Sequence, residues 1–265
     1  MTVFELDLET VLENVDRMAS QRPVAARIVA AADNDNAGAA EMAGILSADM
    51  PMAAKVMRLA NSAYFGLSGR VTSLHLAVAV VGFNTVRSLA TVALAGLDDA
   101  AALPPGFWDV SLHLAATAGA IGPQFGESAA DAMCLGLLAQ LGAGLLHQVD
   151  GAGYATVVSG SDLGADRFAA EARRYGLCTP QLTAAALEQW HFPLSMVMRL
   201  KEARVGPEGA LLRTSYELTA RLVQPAHRRI SVGALSDGRF EERQAPARLA
   251  VIRADVVALR AALEL

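Results

Sequence analysis

The sequence predicts an all-α fold, and three observations carry that prediction. Apolar residues recur at i, i+3 and i+4 spacing along almost the whole chain, which is the signature of helices that bury one face. Alternating apolar and polar runs bounded by turn residues, the mark of half-buried strands, are scarce. The chain has 265 residues, 53% hydrophobic and 18% charged, enough for one large helical core or two smaller ones and too apolar for disorder.

Taken in order, the periodic segments are 10–19, 24–32 and 39–47, each closed by small polar residues, glycine or proline. From Met52 the run MAAKVMRLANSAYF places Met52, Val56, Leu59, Ala60 and Ala63 on one stripe, with Lys55, Arg58 and Ser62 outside it. Helices follow at 73–81 and 85–97. The stretch DDAAALPPG (98–106) then breaks the pattern with two prolines and marks a junction between two helical subdomains, 10–97 and 104–204. A groove between them beside Pro104 and Pro105 is the expected place for a partner or nucleotide to bias their arrangement. The second subdomain carries periodic segments at 108–121, 129–149, 166–175, 180–190 and 194–203. An extension over 205–265 opens with a helix at 207–223 and contains a polar, arginine-bearing loop at 224–246, expected to be the most mobile part. Its last segment, 247–263, can dock back as a terminal helix.

Several function classes are excluded by spacing. Neither lysine follows a glycine, so the chain has no Walker-type phosphate loop. The five histidines, His75, His113, His147, His191 and His227, are never closer than 34 positions, so no local pair of metal ligands exists. The glycine and serine clusters GLSGR (66–70) and VSGSDLG (158–164) do not spell a nucleophile elbow. Cys134 and Cys178 suggest neither a disulfide framework nor a metal cage, and a reducing, cytoplasmic setting is expected. The first residues, rich in acids, do not read as a targeting segment. The most apolar run, 132–146, includes Gln140 and three glycines and is shorter than the roughly 20 residues that cross a bilayer. It reads as a buried core helix, and no membrane contact is expected.

The stretch 45–93 carries the sharpest signal. Asp49 opens a helix that ends in Leu59, Ala60, Asn61, Ser62, followed by Tyr64, Phe65, Gly66, a short loop, and a helix ending in Val81, Gly82. This pattern closely resembles the HDOD family, and the likeness extends more loosely over about 11–203. The proline that the family places directly after the aspartate stands one position later, as Pro51, which should shift the helix start. The resemblance implies a helical bundle similar to the HD superfamily of metal-dependent phosphohydrolases. It also implies where that superfamily's ligands would stand: Val110, the doublet Ala139 and Gln140, and Thr179, with a less secure last pair near Ala203 and Arg204. Valine and alanine offer a metal no donor, and glutamine and threonine are weak neutral ones. The expectation is a pseudoenzyme with no catalytic residue, no metal and no cofactor.

Arg58, Asn61, Ser62, Tyr64, Asn84 and Arg87 are the candidate ligand or partner surface. The plainer alternative is that Asn61 and Ser62 satisfy backbone groups at the turn before Tyr64, and that Asn84 caps the helix after Gly82. Trp108 and Trp190 are expected in the core. The resemblance implies a bacterial signal-transduction protein that works through a protein partner, with cyclic di-GMP or two-component signalling as its setting. A regulator that binds a cyclic dinucleotide or nucleic acid through Arg58 or the C-terminal arginines is the alternative. Nucleic acid is disfavoured because the chain is acidic overall, at net charge −5. A divergent phosphohydrolase drawing ligands from His113, His147 and nearby acids ranks third.

Overall fold

The computed structural model describes residues 6–9, 11, 13, 22–31, 38–97 and 103–265. Most of the helix expected at 10–19 and half of the junction at 98–106 lie outside these residues. Every regular element among the described residues is helical, as the periodicity requires.

The first half comprises α1 (Pro23–Ala31), α2 (Ala39–Leu46), α3 (Met50–Ala60), α4 (Leu74–Val81) and α5 (Phe83–Leu94). Asp49 caps α3 by accepting from the Met52 amide at 3.0 Å, and Pro51 sits in the first turn, where its missing N–H costs nothing. The displaced proline therefore does not move the start of the helix, which begins directly after Asp49. Between α4 and α5 the chain bends by 97°. Gly82 makes that bend with φ 82° and ψ 156°, a backbone conformation that side-chain-bearing residues rarely adopt.

The second half comprises α6 (Phe107–Ile121), α7 (Ala129–Leu138), α8 (Leu141–Val149), α9 (Gly151–Ser159), α10 (Ala165–Tyr175), α11 (Thr179–Gln189), α12 (Leu194–Lys201) and α13 (Ala210–Val223). The short α14 (Val232–Leu235) and the long α15 (Ala245–Leu263) complete the chain. The core is centred on α6, which is packed against α7, α13 and α15. Glycines make the α6–α7 approach close: a methyl group on Gly136 would collide with the backbone of Leu114, and one on Gly122 with Ala132. The terminal helix α15 also packs on α3, tying the extension to the first half.

The structure corrects the sequence reading in three places. The apolar run 129–149 is not one helix but breaks at Ala139 and Gln140, where the Ala139 carbonyl leaves the helical pattern and accepts from the Tyr216 hydroxyl at 3.0 Å. This run is long and apolar enough to span a membrane, yet most of it is buried among other helices. Residues 151–159 form a helix, α9, that the periodic segments named from sequence do not include. The polar stretch 224–246 is not an open loop: it contains α14, a 3-10 turn at Glu242–Gln244 and the fully buried Phe240. Buried Glu217 holds its first part by accepting from Arg221 Nε (2.7 Å) and the Ile230 amide (3.0 Å) and pairing with His227 Nε2 (2.8 Å). Arg221 also donates to the Ile230 carbonyl and pairs with Glu242.

Candidate functional site

The motif around Asn61 folds as a latch. Asn61 ends α3, and its Nδ2 donates to the carbonyls of Met57 (3.1 Å) and Val71 (2.9 Å) while its Oδ1 accepts from the Val71 amide (3.0 Å). One side chain thus closes the ten-residue excursion that carries Tyr64, Phe65 and Gly66. Ser62 is buried just beyond it, and its hydroxyl has no hydrogen-bond partner among the described residues. The Tyr64 ring packs edge-on against Phe65, and its hydroxyl lies where Gly119 of α6 lacks a side chain. Burial, with smaller contributions from Asp255 and Cys134, pushes the Tyr64 hydroxyl up to about 12, so it stays protonated. Arg58 is engaged by the terminal helix: its Nε donates to the Ala262 carbonyl at 3.1 Å and its guanidinium pairs with Glu264 at 3.1 Å, closing the C-terminal end of α15.

Asn84 and Arg87 do not join that group. Asn84 does not cap α5; its Nδ2 donates to Asp131 of α7 at 2.6 Å, on the rim of a small cleft of about 190 Å³ that also holds the Glu127–Arg199 ion pair. Arg87, only 2% exposed, donates to the carbonyls of Trp190 (2.8 Å) and His191 (3.1 Å) and lies 3.8 Å over the Phe192 ring. It fastens α5 to the end of α11, at the turn where His191 takes a positive φ of 55°. Trp190 is buried as expected, but Trp108 is only half-buried and lines a cleft of about 360 Å³ with Asp49, Lys55 and Leu89.

Of the positions expected to be remnants of a metal site, three lie close together in the core. Ala139, Gln140 and Thr179 are buried together: the Tyr216 hydroxyl bonds the Ala139 carbonyl and Gln140, and the Thr183 hydroxyl reaches the carbonyls of both Ala139 and Thr179, whereas Val110 on α6 is half-buried. Gln140 Nε2 donates to the Tyr216 hydroxyl at 3.1 Å. Thr179 opens α11, and both its amide (2.6 Å) and its hydroxyl (2.7 Å) donate to Glu171, which also accepts from the Tyr154 hydroxyl at 2.9 Å. Burial pushes the Glu171 carboxyl above its ordinary range, opposed by the bonds from Thr179 and Tyr154 and by Arg167. Nearby, Thr183 accepts from the Gly142 amide at 2.9 Å, where a side chain on residue 142 would strike the Thr179 carbonyl. Glu171, Tyr154 and Tyr216 carry no local sequence signal; their roles come from partners up to 77 positions away. Among the described residues, no three His, Cys, Asp or Glu side chains come together as a metal-ion site.

The HDOD domain profile matches residues 18–204, which covers the latch, the Arg87 joint and the three buried positions. The chain belongs to the HDOD family. Among solved structures, the HDOD chain is similar to a protein described as "Putative phosphohydrolase" from Shewanella amazonensis SB2B, at 20% identity and TM-score 0.72 over 96% of this chain and 97% of that one. It is also similar to a "Putative signal transduction protein" from Marinobacter aquaeolei VT8, at 22% identity and TM-score 0.68 over 98% of this chain and 67% of that one. A third is an HDOD domain protein of unknown function from Geobacter sulfurreducens, at 17% identity and TM-score 0.64 over 97% and 98% of the two chains. At these identities the likeness shows a shared fold. Among curated proteins none matches the chain.

Proposed function

We propose that this HDOD protein is a non-catalytic regulator in bacterial signal transduction, acting in the cytoplasm by binding a protein partner. The observation that carries the reading is the chemistry at the expected ligand positions. A divalent ion needs imidazole, carboxylate or thiolate donors, whereas Val110 and Ala139 have none. The Gln140 amide and the Thr179 hydroxyl are each engaged by neighbouring side chains. The one carboxylate at hand, Glu171, is spent on three hydrogen bonds. These residues do not fit a metal, so no hydrolytic step is derived through one. Membership of the HDOD family and the fold shared with a protein described as acting in signal transduction support a regulatory role. A setting in cyclic di-GMP or two-component signalling belongs to the same proposal.

The test is turnover. The purified chain, supplied with manganese, should leave cyclic di-GMP and nucleoside monophosphates intact. Metal-dependent hydrolysis that is lost on substituting His113 or His147 would replace this reading with that of a divergent phosphohydrolase.

A further inference from the structure

Away from the buried Ala139, Gln140 and Thr179 lies a large recess lined by four arginines. It is a pocket of about 810 Å³ between the start of α10, the α12–α13 connection and the segment after α13. That volume falls in the range of small-molecule sites. Arg204, Arg213, Arg228 and Arg229 line it. Arg213 is committed to the carbonyls of Glu202 (3.1 Å) and Gly206 (2.7 Å). The side chains of Arg204, Arg228 and Arg229 are exposed and make no hydrogen bond or ion pair with any described residue.

Three acids, Asp162, Asp166 and Glu217, share the wall with the arginines. Glu217 is saturated by Arg221, His227 and the Ile230 amide, while Asp166 accepts from the Asp162 amide at 2.9 Å and Asp162 from the Arg228 amide at 3.3 Å. A further polar group is left over. The His227 side chain is 5% exposed, and its Nδ1 lies 3.5 Å from Asp162 with no hydrogen-bond partner among the described residues. The pocket is also pre-formed, because the Leu163 amide donates to Gln224 at 2.7 Å and Glu217 clamps Ile230. One wall is apolar: Phe168 and Tyr216 meet edge to face at 4.8 Å. Tyr216 separates the pocket from the buried positions, since its hydroxyl turns the other way, to Ala139 and Gln140.

Three uncommitted guanidinium groups around a fixed recess with an apolar wall select a ligand of definite chemistry. Guanidinium forks match phosphoryl oxygens in geometry and charge, and the aromatic wall suits a ring or hydrocarbon portion. We propose that this pocket binds a small phosphate-bearing molecule of nucleotide size. Its phosphoryl groups sit on Arg204, Arg228 and Arg229, its apolar part lies toward Phe168, and no metal takes part. Occupancy would tie the segment after α13 to the α12–α13 connection, which gives the regulator a ligand input separate from the remnant site.

The experiment is calorimetry on the full chain at low salt, with a chelator present so that metal binding plays no part. The probes are inorganic pyrophosphate and guanosine 5′-diphosphate. Saturable binding of either is expected, weakened at least ~10-fold in Arg204→Glu/Arg229→Glu, a loss that charge-assisted contacts of this kind account for. It should be unchanged in Arg70→Glu/Arg253→Glu, which makes the same charge change at exposed positions outside the pocket. If the first double variant does not fold, Arg228→Gln replaces it with the same expected direction. No saturable binding of either probe, or equal weakening in both double variants, overturns the proposal.

Discussion

Replacing Asn61 by alanine removes three hydrogen bonds that one side chain makes at once, two donated to the carbonyls of Met57 and Val71 and one accepted from the Val71 amide. At about 1 kcal/mol each, the loss is about 3 kcal/mol, and Val71, itself buried, is left with an amide and a carbonyl to re-solvate. Asn61→Asp should cost at least as much, because a carboxylate keeps the bond from the Val71 amide but faces two carbonyl oxygens without a proton to offer. Urea unfolding followed by far-UV circular dichroism measures both. The expected result is a shift of the midpoint with an unchanged slope, meaning lost stability rather than a different unfolded state. Loss of less than about 0.5 kcal/mol in Asn61→Ala, the level of an ordinary surface substitution, would refute the latch and return Asn61 to the surface available for recognition.

Other perturbations separate the remaining roles. Arg87→Met should destabilise by about 3 kcal/mol through the two carbonyl bonds, and Arg87→Lys should recover little, since an ammonium cannot stack flat on Phe192 while reaching both Trp190 and His191; urea midpoints decide. Gly82→Ala should cost about 1–3 kcal/mol from backbone conformation alone, because space around residue 82 is open, and thermal unfolding reads it. Gly136→Ala should cost a similar ~1–3 kcal/mol for the opposite reason, a methyl group driven against the Leu114 backbone with no strained φ to blame. Burial raises the Asp150 carboxyl, but bonds from Arg174, the Gly153 amide and Tyr175 outweigh it and hold the group below its ordinary range. Folding therefore favours the ionised form, and its contribution is present above the unfolded carboxylate range and lost as the pH falls through the folded value. Asp150→Asn, which keeps a helix cap, should flatten the acid limb of the stability profile; an unaltered limb would contradict this.

Features that depend on near neighbours were legible in the sequence. The stripe of α3 and the Asn61 turn sit within a few residues of their partners, so local pattern located them, and the family resemblance added Asp49 at the helix start. The break between α7 and α8 was half legible: Gln140 and nearby glycines interrupt the apolar run, but only the Tyr216 hydroxyl, 77 positions from Ala139, supplies the partner that makes an interruption stable. From sequence Arg87 is a candidate for the recognition surface, but its hydrogen-bond partners lie 103 and 104 positions away, and no local pattern distinguishes a buried joint from a recognition surface. The contacts of Arg58 are hidden from sequence for the same reason, since the carbonyl it satisfies belongs to the last turn of α15. The stretch 224–246 looks open from sequence because its residues are polar. Two of them, His227 and Glu242, are held by Glu217 and Arg221 of α13, partners that the composition of the stretch does not reveal.

The proposed absence of catalysis rests on Val110, Ala139, Gln140 and Thr179 offering no donor set for a metal. Elemental analysis of the chain purified without chelator, followed by manganese titration calorimetry, tests it most directly. The account predicts no stoichiometric metal and no saturable heat of manganese binding. About one equivalent of tightly held manganese, iron or zinc, with binding abolished by substitution of Glu171 or His113, would contradict it.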